Sequence, residues 1–162
     1  MQIRAARSED WPALWQIVEP IVRAGETYTY PTDLTGDRAR ELWLAGPPVE
    51  TWVAEDDGVV LATVRTSPNK PGHGDHVGTA AFMVAPAARG RGVAAALAEH
   101  VVVRMRAQGY RGIQFNAVVE TNTSAVRLWE RLGWRIVGTV PEAFRSPSRG
   151  LVGLHVMYRS LV

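Results

Sequence analysis

The chain has 162 residues, 46% hydrophobic and 21% charged, which suits one domain with a sizeable core and excludes a disordered composition. With no cysteine it can have no disulfide, thiolate metal site or cysteine nucleophile, and it suits a reducing compartment. The formal net charge is only +2, and the sequence pI of 9.4 arises because nearly every base is arginine, interspersed with Asp and Glu as on solvated faces and not as in a nucleic-acid-binding stripe.

The first residues, MQIRAARSEDW, lack a basic-then-apolar signal pattern, and no apolar run approaches the ~20 residues of a membrane span, so a cytoplasmic protein without a membrane partner is expected. Ile3 to Ala5 reads as a short strand. Ser8 is placed to cap a helix from about Asp10 to Ala24 that buries Leu14, Ile17, Val18, Ile21 and Val22. A loop through Tyr30 and Pro31 leads to a helix near Gly36 to Ala45. Thr51 to Glu55 and Val59 to Thr66 form a hairpin across Asp57-Gly58. The Pro/Gly-rich stretch Ser67 to Gly74 predicts a long loop before the strand Thr79 to Val84. A helix over 92–108 stops at Gly109, and the strand Ile113 to Val118 follows. A helix over 122–132 and strands Arg135 to Val140 and Leu151 to Tyr158 complete a mixed α/β sheet, with residues 1–162 as a single domain. The tryptophans at 11, 15, 43, 52 and 134 read as core or as the surface of a homodimer.

Phe82 to Ala98, FMVAPAARGRGVAAALA, carries the most chemistry. An apolar strand breaks at Pro86, passes an Arg-Gly-Arg-Gly turn and enters an alanine-rich helix. Gly90 and Gly92 let the backbone take positive φ and approach a ligand. The first N–H groups of the helix have no intrahelical partner and favour an anion, with Arg89 and Arg91 as charged donors beside them. A phosphorylated cofactor is implied. Gly90-x-Gly92-x-x-Ala95 also meets the loose dinucleotide fingerprint, with Glu120 as a ribose-binding acid, but that acid lies about 30 residues on where ~20 is usual. The chain is also short for two mononucleotide halves.

Phe115 to Trp134, FNAVVETNTSAVRLWERLGW, is a strand followed by an Asn-started helix with Ala125, Leu128, Trp129 and Leu132 on one face. Together with RGRGVA it resembles the GNAT superfamily of acyl-CoA-dependent N-acetyltransferases. The resemblance implies that Arg89, Gly90, Arg91, Gly92, Val93 and Ala94 hold the pyrophosphate of acetyl-CoA and that Asn122 contacts its pantetheine arm. It places Met83 and Val84 on the strand that pairs with pantetheine and receives the acetyl carbonyl. The implied fold is a mixed central sheet flanked by helices, in which the parallel strands carrying Val84 and Val118 splay apart to admit the acetyl group. GETYTYP near Gly25, SPNKPGHGDHV, FNAVVETN and GTVPEAF further resemble a subgroup of yeast enzymes that acetylate proline analogues. There two asparagines serve the substrate, falling here on Asn69 and Asn116.

Asn116 on an apolar strand is costly unless hydrogen-bonded, and it reads either as a satisfied amide or as a substrate contact. Asn69, between two prolines, is a turn residue or a ligand. His73 and His76 have no third ligand at metal spacing, so no metal is expected; His76 reads as loop surface or as an acid/base group. Glu26 reads as a solvated carboxylate or as a base or contact for a substrate amine, with Tyr28 beside it as a substrate contact. Asn122 is a natural N-cap. Where relatives carry a tyrosine that protonates the departing thiolate this chain has Trp129, and where some carry a catalytic carboxylate it has Gly78, Thr79, Ala80 and Ala81. Expected is transfer of acetyl to a small-molecule amine by direct attack in a ternary complex. The alternatives are a protein or peptide N-terminal acetyltransferase, which needs a more open cleft than the Pro/Gly loop and Tyr28–Tyr30 imply, and a non-catalytic acyl-CoA-binding regulator.

Overall fold

Phe82 and Met83 are neighbours, both buried, and feed different cores: Phe82 joins the large cluster around Leu97, Val101 and Met105, while Met83 joins that of Ile17, Val18 and Trp43. Successive side chains of a strand point to opposite faces, so a strand apolar on both must lie inside a sheet with helices on each side. The computed structural model, which describes all 162 residues, has this arrangement. Its strands are β1 (Gln2–Ala5), β2 (Glu50–Asp56), β3 (Val59–Pro68), β4 (Val77–Val84), β5 (Gly112–Val119), β6 (Arg135–Ser146) and β7 (Gly150–Ser160). They form one sheet in the order β1-β2-β3-β4-β5-β7-β6. Helices α1 (Trp11–Ala24) and α2 (Gly36–Trp43) cover one face, and α3 (Val93–Ala107) and α4 (Thr123–Arg131) the other.

Local chemistry sets most boundaries. Asp57 and Gly58, at φ 49° and 77°, turn the β2–β3 hairpin. Thr35 caps α2 by accepting the Arg38 N–H at 3.3 Å. Ser8 does not cap α1 as expected: Ser8–Asp10 is a 3-10 turn, and the Asp10 carboxylate accepts the Arg7 N–H at 2.6 Å. Arg4 holds that carboxylate with two bonds of 2.7 and 2.8 Å while its Nε donates to Glu55 at 2.9 Å, fixing the helix entry to β1 and β2. Strand β6 runs past the expected stop at Val140. It is an edge strand, so Pro141 costs no interior ladder bond, and Glu142 at φ 53° takes up the slip in register between Val140 and Phe144. Of the tryptophans, Trp43 and Trp134 are core residues and Trp11, Trp15 and Trp52 are half-buried.

The junction of β4 and β5 matters most. These are the only parallel neighbours, and they pair only at Val77–Gly112 and Gly78–Ile113. At that vertex neighbours crowd in: a Cβ on Gly78 would lie 2.5 Å from Met105 Cε, and one on Gly112 would lie 2.3 Å from the Tyr158 hydroxyl. Beyond it the strands separate, β4 staying with β3 and β5 with β7. No helix is long and apolar enough to cross a membrane.

Candidate functional site

The separation of β4 and β5 leaves backbone groups facing a gap. Ala85 N–H donates to Leu61 O at 2.8 Å and Val77 O accepts from Asn69 at 2.8 Å, so the odd-numbered residues of β4 are committed to the β3 side. By the alternation of an antiparallel ladder, Ala80, Phe82 and Val84 direct N–H and C=O toward β5, which is no longer within reach. The Phe82 carbonyl is taken by the Tyr28 hydroxyl, which donates to it. The N–H of Val84 faces the opening.

A cavity of about 640 Å³ runs from this gap to the start of α3. Its walls are Phe82, Met83 and Val84 of β4, Val118 and Val119 of β5, Ala88, Arg89, Gly90 and Gly92 of the loop, the first turn of α3, and Asn122, Leu128, Trp129 and Arg131 along α4; Ile21 and Tyr28 close it from the α1 side. Met83 lines it by its side chain, its backbone being on the β3 side. At the far end Gly90 and Gly92 have φ of 75° and 76°. Nothing lies within 4 Å of a Cβ built on either, so it is the left-handed conformation, not space, that requires glycine. Gly92 is the N-cap of α3 and has no side chain to satisfy the first turn; the helical bonds begin at Ala96 N–H to Gly92 O, 3.1 Å. The N–H groups of Val93, Ala94 and Ala95 are therefore left without helical acceptors beside the cavity. This cradle fits a diphosphate group.

Arg89 lines the cavity, but Arg91 does not: it extends over the hairpin to Asp56 at 3.5 Å, both exposed. Asn122 spends its side-chain oxygen on the α4 cap, accepting from Ala125 N–H at 3.4 Å and Ser124 Oγ at 3.1 Å, which leaves its amide N–H₂ free toward the cavity. Trp129 packs with Phe82, Phe115 and Trp134 at ring separations of 4.9, 5.0 and 5.8 Å and forms an apolar wall.

The other expected residues fall elsewhere. Glu26 is bound by the β6–β7 turn, accepting from Ser146 Oγ at 2.6 Å and Ser148 N–H at 3.1 Å. The Ser146 hydroxyl, ahead of the Ser148 bonds, holds its carboxyl below the usual range, which makes it a weaker base, and it does not line the cavity. His76 is exposed and borders a separate groove with Glu50, Asp75 and Tyr110. Asn69 and Asn116 meet: Asn116 Nδ2 donates to Asn69 Oδ1 at 2.6 Å, and Gln114 Nε2 donates to Asn116 Oδ1 at 2.8 Å. These amides form a directed chain on the sheet face opposite Phe115. Asn116 is exposed, and Tyr28 and Tyr30 stack toward Trp43 instead of lidding it, so the closed pocket expected from the loop composition is not formed. Sequence reading missed Gln114, although its place two residues before Asn116 puts both on one face. It also missed Ile21 and Arg131 as cavity walls, for which the sequence carried no signal. No three His, Asp or Glu side chains group as metal ligands.

Residues 5–134 match the profile of the acetyltransferase (GNAT) family. The chain is 54% identical to a GCN5-related N-acetyltransferase from Kribbella flavida, whose structure superposes with a TM-score of 0.94 over 98% of this chain and 96% of that one. It is 27% identical over 139 residues to the N-acetyltransferase aca1 of Schizosaccharomyces pombe, covering 76% of this chain and 66% of the yeast protein, just under two thirds of its length. The phosphinothricin acetyltransferase of Sinorhizobium meliloti, solved in complex with acetyl-CoA, shares the fold at 21% identity, with a TM-score of 0.87 over 98% of this chain and 87% of that one.

Proposed function

The chain belongs to the GNAT family and is an acetyl-CoA-dependent N-acetyltransferase, and from that premise we propose that its acceptor is the amine of a small amino or imino acid related to proline. The observation that carries this reading is the directed amide chain from Gln114 through Asn116 to Asn69. Its free ends differ: the Gln114 carbonyl oxygen is an acceptor and the Asn69 amide N–H₂ a donor. An acceptor for an amine N–H at one end of the chain and a donor for a carboxylate at the other, neither carrying net charge, offer complementary contacts to a zwitterionic acceptor.

In this reading the α3 N-terminus, Gly90, Gly92 and Arg89 hold the diphosphate, and Asn122 Nδ2 bonds the pantetheine arm. Val84 N–H, at the end of β4 nearer the diphosphate, bonds a pantetheine carbonyl, and Phe82 N–H, deeper in the gap, holds the thioester carbonyl and stabilises the oxyanion as the amine adds. Orientation by the amide chain supplies proximity. No carboxylate or imidazole lines the cavity. For an amine with a pKa near about 10.4, deprotonation at neutral pH costs roughly 4–5 kcal/mol. The amine proton leaves to water across the open amide face, and turnover rises through pH 8–9.

Peptide N-terminal acetylation is favoured by a separate observation, the exposure of Asn116 on an uncovered part of the sheet. Mass spectrometry of a panel of amines, amino acids, imino acids and peptides incubated with acetyl-CoA separates the readings. N-acetylated amino or imino acids support the proposal, acetylated peptides alone replace it with the second reading, and no product with intact acetyl-CoA binding makes the protein a regulator.

A further inference from the structure

Trp129 offers an apolar indole face to the cavity, and the side chains on the cavity wall hold few hydroxyls. Ser124 sits at the start of α4 and donates to Asn122 Oδ1. Thr27 and Tyr28 come from the opposite side. Of these, only Tyr28 places its hydroxyl on the splayed part of β4, where it donates to the Phe82 carbonyl, one gap-facing position before Val84. Its ring is fixed from behind: Tyr28 stacks on Tyr30 at 5.9 Å, and Tyr30 packs on the fully buried Trp43 at 5.7 Å. The Phe82 carbonyl needs this donor only while the gap lacks another, and a pantetheine amide lying along β4 can replace it.

Resting on the reading that acetyl-CoA occupies this cavity, we infer that the Tyr28 hydroxyl is a catalytic hydrogen-bond donor to the sulfur of the departing thiolate. The amine nitrogen forms the new C–N bond, the C–S bond breaks with its electron pair on sulfur, and the amine proton goes to buffer. CoA departs as the thiolate and is protonated in solution. Tyr28 keeps its own proton throughout, because burial, with Tyr30 adding to it, pushes its phenol well above its ordinary value, whereas a thiol ionises near about 8.5. The other titratable groups near the hydroxyl are Tyr30 on its ring and Arg89 and Arg131 farther along the walls; Glu26, two residues before, is turned to Ser146.

The test needs no acceptor. The thiol of bound CoA is titrated by thiolate absorbance near ~240 nm, with the desulfo-CoA complex as the blank. Loss of the donor should raise the bound thiol by about one pH unit in Tyr28→Phe, a tenfold change in ionisation. Circular dichroism and calorimetry with CoA establish that the variant folds and binds. If it does not fold, protein labelled throughout with 3-fluorotyrosine serves, since Tyr28 is the only tyrosine on the cavity wall and a more acidic phenol should lower the thiol below wild type. An identical titration in wild type and Tyr28→Phe, or in wild type and labelled protein, overturns the assignment. Failure of CoA to bind wild-type protein would instead overturn the cofactor reading beneath it.

Discussion

Replacing each loop arginine by alanine should give unequal results that sequence alone would not foresee. Arg89 lines the cavity beside the open first turn of α3, so its guanidinium adds a charge-assisted bond to a diphosphate already facing uncapped N–H groups. Such a bond contributes about 1.5–3 kcal/mol, so Arg89→Ala should weaken acetyl-CoA binding by about 10- to 150-fold. Arg91 faces Asp56 at 3.5 Å, away from the cavity, with both side chains in solvent. Its loss removes only a solvent-screened ion pair at the surface, and affinity should change no more than about threefold. Isothermal calorimetry at fixed ionic strength measures both. A larger loss for Arg91→Ala than for Arg89→Ala would refute the reasoning and require Arg91 to leave Asp56 for the ligand.

Gly92→Ala should lower the melting temperature by about 2–8 °C through the cost of a left-handed alanine, about 1–2 kcal/mol, because its methyl group meets no neighbour; an unchanged melting curve and acetyl-CoA affinity would contradict this. Asn116→Ala, which cuts the amide chain at its middle, should reduce kcat/KM for the acceptor at least about tenfold while calorimetry finds acetyl-CoA affinity unchanged. Asp10, whose carboxyl is held below its ordinary value chiefly by hydrogen bonds from Arg4, contributes stability that is full above its unfolded pKa of about 3.9 and is lost as pH falls through the folded value. Thermal unfolding of Asp10→Asn should therefore show a shallower decline below about pH 4 than wild type, and parallel declines would remove Asp10 from the acid transition.

The glycine turn before α3 and the sheet were legible because their signals are local. Positive-φ glycines, an uncapped helix start and the Asp57-Gly58 turn act within a few residues, and alternation along β3, β4 and β5 forces a strand with two buried faces. Partner choice was less legible. Arg91 was expected at the phosphates because it lies between two glycines, yet it turns to Asp56, 35 positions earlier in the chain. Glu26 stood among the candidate substrate residues but is held by Ser146 and Ser148 across the fold. Asn116 was visible as out of place on an apolar strand and Asn69 only as a turn residue or a ligand, and only folding brings them into one hydrogen-bonded chain with Gln114. Where β6 ends was obscured by Pro141, which stops an interior strand but is tolerated on an edge.

The crystal structure of the complex with acetyl-CoA tests the central claim most directly. Expected are the diphosphate on the N–H groups of Val93 to Ala95, the pantetheine arm between Phe82–Val84 and Val118, and the acetyl carbonyl about 2.9 Å from Phe82 N. Pantetheine bound outside the β4–β5 gap, or an acetyl carbonyl turned away from the Phe82 N–H, would contradict it.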